Sequence, residues 1–196
     1  MKKQNLQEKE KGTGRDKVAI NQAVKLFEKI QESTVWKIDR WASEEDKKAG
    51  KIYSEKEALR LFGAPQFTEI KGNILLNVGI NELWTILCSN SGTKYDNANA
   101  QLGVGDSSAT EAPTQTALQG TNTLYKGMMS GYPTYGTNQK ATWKSEFGAN
   151  EANWAWNEFA VRNGATANKL LNRKVSPQGT KTAGHIWQLT LEIPLS

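Results

Sequence analysis

Glu146, Glu151 and Glu158 fall within a short stretch that also carries Trp143, Trp154 and Trp156. Paired carboxylates hydrolyse glycosidic bonds when one acts as acid and the other as base or nucleophile, and indole rings stack on sugars. Strands with tryptophan on one face and glutamate on the other account for the pattern without any active site. Asp96, Asp106 and Glu111 form a second acidic group beside Asn97 and Asn99. Oxygen-rich loops of this kind can hold calcium, but the spacing matches no EF-hand, so no metal site is expected. His185 is the only histidine and no nucleophile is marked for it, which makes it a turn or surface residue. The single cysteine, Cys88, sits in the apolar run Leu83-Trp84-Thr85-Ile86-Leu87-Cys88, where a buried structural thiol is expected. No GxxxxGK[ST], HExxH or CxxC pattern occurs. Gly103 and Gly105 lack the third glycine of a dinucleotide fingerprint. The sequence therefore names no catalytic residue, cofactor or metal ligand, and an enzyme is not expected.

The elements that position these residues divide by charge. Residues 1–71 carry 16 Lys+Arg and 12 Asp+Glu, net +4, whereas residues 72–196 carry 9 and 8, net +1. This asymmetry marks a boundary between a charged arm and a nearly neutral domain. Interspersed signs do not make the clustered cationic surface that nucleic acid needs, so no nucleic-acid partner is expected. Hydrophobic content is 37%, which limits the core, and seven Trp residues offset that limit with large buried areas. No apolar run approaches the ~20 residues of a membrane span. The basic N-terminus has no apolar segment behind it to make a signal peptide. No membrane partner is expected.

The arm reads as short helical pieces. Residues 1–15 are a polar tail. Ile20, Ala23, Val24, Phe27 and Ile30 follow the spacing of an amphipathic helix stripe suited to docking on a surface. Val35–Trp41 alternates as a short extended piece, and Trp36 and Trp41 are either a partner anchor or local core. The candidate partner-binding residues are thus Ile20, Val24, Phe27, Ile30, Trp36 and Trp41. Ser43 caps an acidic-then-basic helix over 44–48. Ser54 and Glu57 form a capping box for a helix that Gly63 stops.

The second part begins with an apolar helix over 74–88. Leu76, Ile80, Leu83, Trp84 and Leu87 share one face, and Gly79 is a cost of ~1 kcal/mol in its interior. Gly103 and Gly105, flanking Val104, predict a tight bend with positive φ at the entry to a β domain. Strands follow over 124–132, 139–147, 154–161, 170–175 and 185–195. In the last of these Trp187, Leu189, Leu191 and Ile193 face inward, and this terminal strand is expected to pair with an early one. The fold class is α+β: a helical N-terminal arm (1–71) followed by an antiparallel β-sandwich or small barrel with a leading helix (72–196).

Several motifs of the second part occur in a fixed order: NILLNVGINELW (73–84), YDNANAQLGVGDSS (95–108), QTALQG (115–120), ATWKSEFGANEANWAWNEF (141–159) and LNRKV with its GTK turn (171–181). In this order the chain resembles a family of small virion structural proteins of tailed bacteriophages and prophages, over residues 72–196. The resemblance implies a virion component assembled in the host cytoplasm. A neutral β domain with a charged arm suits a capsid decoration protein that binds the major capsid protein and neighbouring copies of itself, held by many weak repeated contacts. A tail or head fibre module recognising a host surface glycan is the alternative.

Overall fold

The computed structural model describes residues 29, 32–89 and 91–195. Within them lie two antiparallel five-stranded sheets and three short helices. One sheet has the order β2-β1-β10-β7-β6, built from β1 (Val35–Trp41), β2 (Phe67–Lys71), β6 (Thr134–Thr137), β7 (Lys140–Phe147) and β10 (Ile186–Pro194). The other has the order β3-β9-β8-β4-β5, built from β3 (Ile74–Leu75), β4 (Gln101–Gly105), β5 (Thr123–Gly127), β8 (Glu158–Arg162) and β9 (Leu170–Val175). The protein is thus α+β, with the sheets packed in a sandwich-like arrangement around a shared core.

The helical arm does not hold for residues 35–71. The alternation of Trp36, Ile38 and Arg40 makes β1 a strand of the sandwich, with all three side chains fully buried. It lies between β2 and the terminal strand β10, with Trp36 opposite Leu191 and Ile38 opposite Leu189. Charge composition pointed to an appendage because β2, at the sheet edge, and the helices around it place their charges in solvent. Edge strands carry such charges in any sheet. The terminal strand does pair with an early one, and it also pairs with β7 on its other side.

The local signals of the polar segments are realised. Helix α1 (Glu44–Lys48) is capped by the Ser43 side chain, and helix α2 (Glu55–Phe62) has the reciprocal Ser54/Glu57 capping box and a left-handed Gly63. A two-residue turn joins β6 to β7, where Asn138 and Gln139 both take positive φ, as a type I′ hairpin requires.

Tryptophan rings fill the core. The Trp156 ring meets Phe147 at 4.9 Å and Trp187 at 4.8 Å, both edge-on. Trp36 of one sheet touches Phe159 of the other at 5.8 Å between centroids. Such pairs contribute about 0.5–1.5 kcal/mol each beyond area burial.

Two glycine readings change. Gly103 and Gly105 are not a positive-φ bend; they belong to strand β4. They are needed for close approach, since a Cβ at Gly103 would overlap the Tyr125 ring and one at Gly105 the Glu158 carboxylate. Gly79, expected only as a cost inside helix α3 (Asn77–Ser89), lets the first turn of that helix lie directly on β9. A Cβ there would overlap the backbone of Leu170 and Leu171. Because backbone cannot yield as a side chain can, Gly79→Val should cost about 1–3 kcal/mol, measured as a lowered urea midpoint. An unchanged midpoint would show that helix and strand are not packed this closely.

Candidate binding groove

The acids that could have formed an active site are each engaged by the protein, although Glu146 and Glu151 line one open cavity. Glu146 holds Lys47 at 2.7 Å and accepts from Gln188 at 2.6 Å. These contacts hold its carboxyl below the usual range against the opposing effect of burial. Glu151 pairs with Lys126 and accepts from the Gly148 amide at 2.8 Å. Glu158 is fully buried, with Arg173 Nε at 2.7 Å. Trp143 and Trp156 belong to the core and Trp154 packs against it, so the three indoles form no sugar-stacking face. The members of the second acidic group are likewise engaged. Asp96 accepts from the Asn99 amide and side chain, Asp106 from Asn122, and Glu111 from the Val175 amide. Among the described residues no group of three or more His, Cys, Asp or Glu side chains is placed to hold a metal ion.

Glu158 and Arg173 organise the segment between β4 and β5. Glu158 accepts from the amides of Gln119 (2.9 Å) and Gly120 (2.7 Å). Arg173 Nη1 donates to the Ala109 carbonyl and to Gln115 Oε1, both at 3.0 Å. Asp106 closes the ends of the segment through Asn122, and the Pro113 carbonyl accepts from the first amide of α3. Ion pair and loop together cover the outer face of the second sheet, where Leu76, Leu118, Ala160 and Leu170 form a small second core.

Two further cations are buried without a carboxylate contact. Arg40 donates to the Pro65 carbonyl (2.8 Å), Thr68 Oγ1 (2.7 Å) and the Gln178 carbonyl (3.0 Å), and its guanidinium stands 4.7 Å over the Trp187 ring. Burial lowers its pKa to about 10, with Asp39 opposing. Lys181 donates to the Gly148 carbonyl (2.6 Å) and Asn153 Oδ1 (2.9 Å). Burial lowers its pKa to about 8, with Glu151 opposing. Two acceptors match the two donor hydrogens of a neutral amine better than the three of an ammonium. His185 is buried rather than a surface residue. It packs edge-on against Phe62 at 5.2 Å, and burial followed by the nearby Lys181 charge lowers its pKa.

One surface region is apolar. A cavity of about 490 Å³ opens between α3, the end of β10 and the β6–β7 hairpin. Leu83, Trp143, Leu171 and Ile193 are among its lining, and Tyr135 and Leu195 stand at it largely exposed, at 78% and 66%. The Trp143 indole is fixed by donating to the Tyr95 carbonyl at 2.9 Å. Its volume lies in the range of pockets that enclose a ligand. The apolar surface continues along α3, where Trp84 is 56% and Leu87 74% exposed. The helix stripe inferred from sequence is therefore only partly inward: Leu76 is buried, Ile80 and Leu83 are half-buried, and Trp84 and Leu87 face out. Cys88 is exposed, not a buried structural thiol, because it shares that outward side.

Of the residues expected to bind a partner, Ile20, Val24, Phe27 and Ile30 lie outside the described residues. Trp36 is buried in the core and presents no surface, and Trp41 is half-buried, edge-on to Phe67 at 6.3 Å. Sequence reasoning missed the groove itself, whose lining comes from residues distant in the chain. The available signal was α3, which is apolar around more of its circumference than one sheet contact can cover.

No protein-family model, curated protein or solved structure matches the chain. No helix among the described residues is long and apolar enough to cross a membrane.

Lys181 gives the fold a defined response to pH. The folded state releases its proton near 8, whereas an unfolded lysine holds it to about 10.5. Below pH 8 the buried charge is a full penalty, and raising the pH through that window removes it. The urea midpoint of the wild type should therefore rise relative to that of Lys181→Met between pH 7.5 and ~10. A constant difference across that range would contradict a buried, depressed lysine.

Proposed function

We propose that this chain is a non-enzymatic structural protein that works by docking its apolar face, and that its setting is the bacteriophage virion, as a capsid decoration protein. The observation that carries the docking role is the groove with its outward extension on α3. Contiguous apolar surface of this kind marks a partner interface in soluble proteins. Tyr135 and Trp84 are the rigid, large side chains that concentrate binding energy at interfaces.

The carboxylates once weighed for catalysis support the same reading, because ion pairs and backbone amides hold them in place. The virion setting comes from the resemblance over residues 72–196. On that reading the partners are the major capsid protein and neighbouring copies of this chain. Each copy contributes a modest contact that the lattice repeats, so avidity holds the shell covering together.

Particles produced by a host carrying this gene, labelled with antibody against the protein and imaged by electron microscopy, test the setting. Label repeated over the capsid surface is expected. Label confined to the tail, or absent from purified particles, would overturn the decoration role.

A further inference from the structure

We infer that β2 is the edge through which two copies of this chain join, pairing antiparallel about a two-fold axis at Ile70 so that Glu69 faces the partner's Lys71. The inference stands on the sheet edge alone and is read in purified protein, whatever the imaging of particles shows.

Three observations select this edge and this partner. The first is which backbone groups are free. Strand β2 ends the sheet order β2-β1-β10-β7-β6. The Arg40 amide donates to the Gln66 carbonyl at 3.0 Å and the Gly72 amide to the Thr34 carbonyl at 2.8 Å. Both bonds continue the register that sets Trp36 opposite Ile70. The even-numbered residues therefore bond to β1, and the alternation of an antiparallel ladder turns the N–H and C=O groups of Phe67, Glu69 and Lys71 outward. Among the described residues nothing is hydrogen-bonded along this edge. The other edges are less available. Strand β3 is two residues long, the β6–β7 register shifts, and the Lys126 carbonyl of β5 accepts from Ser145 Oγ at 3.1 Å.

The second is charge. Glu69 and Lys71 are exposed on one face of β2, and among the described residues neither has an ion-pair partner. Exposed charges on an edge oppose pairing when like meets like. An axis at Glu69 would set glutamate against glutamate, and one at Lys71 lysine against lysine. An axis at Thr68 would set Lys71 against Pro65, which has no N–H to give. An axis at Ile70 sets Glu69 against the partner's Lys71 at both symmetric positions. It also lets these residues exchange their outward backbone bonds, while Ile70 meets its own copy on the inner face. A patch that complements itself in this way is what a two-fold contact requires.

The third is the row of charges on the outer face of the sheet. Lys140, Glu192 and Lys37 alternate in sign across β7, β10 and β1, at 3.1 and 3.2 Å. Glu69 of β2 stands opposite Lys37 and ends the row. The partner's Lys71 supplies its next member. The sheet order places β2 at the opposite edge from β6, which borders the groove, so the groove stays open to a different partner. A contact of this small size is weak in isolation and depends on concentration.

Sedimentation of the purified full-length chain over a concentration series at low ionic strength tests the pairing. A reversible monomer–dimer equilibrium is expected for the wild type. Glu69→Lys and Lys71→Glu should each weaken the dimer about tenfold or more, because each sets like charges opposite one another at both symmetric positions. The combined variant Glu69→Lys/Lys71→Glu should recover most of the loss. A wild type that stays monomeric, as it would if a different protein or another part of the chain covered the edge, would overturn the inference. So would a dimer that either single reversal leaves unchanged, or a combined variant no tighter than the single ones. Should a variant fail to fold, the wild type alone gives a second reading. Raising the salt from ~0.01 M to ~1 M should weaken its dimer several-fold, and a dimer indifferent to salt would equally overturn the inference.

Discussion

The buried pair Glu158–Arg173 is the constraint on which much of the rest depends. Both side chains are fully excluded from solvent, and their atoms meet at 2.7 Å. A charge so placed is costly unless it is bonded, and here the loop between β4 and β5 supplies the bonds around the ion pair, with Arg173 Nη2 alone of the guanidinium nitrogens left without a partner. The amides of Gln119 and Gly120 satisfy the carboxylate, and Ala109 and Gln115 satisfy one arm of the guanidinium. Two adjacent strands, a long polar loop and the start of α3 are thereby locked to one another. The glycine at 105 follows from the same demand, since the carboxylate occupies the space a side chain would fill.

This inward use of polar chemistry shapes the functional reading. Glu158, Arg173, Arg40 and Lys181 are all buried and bonded to the protein itself. Trp84, Leu87, Tyr135 and Leu195 stand exposed around the apolar groove, a surface that offers area and shape. Area and shape serve attachment.

Local physics was readable along the chain wherever it depends on near neighbours. The Ser43 cap, the Ser54/Glu57 box and the inward set of β10 follow from residues a few positions apart, and each is where the sequence puts it. The assignment of residues 35–71 to an arm failed because composition reports solvent exposure, not sheet membership. The pairing of Trp36 with Leu191 spans most of the chain and leaves no local trace. Gly79 and Gly105 look like breakers in sequence and act as clearances in space, against Leu171 and Glu158. The groove was illegible for the same reason. Trp143 and Ile193 come together through the pairing of β7 with β10, and Leu83 joins them only once α3 packs on the fold. The outward turn of Trp84 and Leu87 depends on which part of α3 meets β9.

A double-mutant cycle across Glu158 and Arg173, read by urea unfolding, tests the central constraint most directly. Glu158→Gln and Arg173→Leu should each cost about 3–5 kcal/mol, because each leaves a buried partner uncompensated. The double variant should cost clearly less than the sum of the two. Single costs below about 1 kcal/mol, or strict additivity, would contradict a buried pair holding loop, strands and helix together.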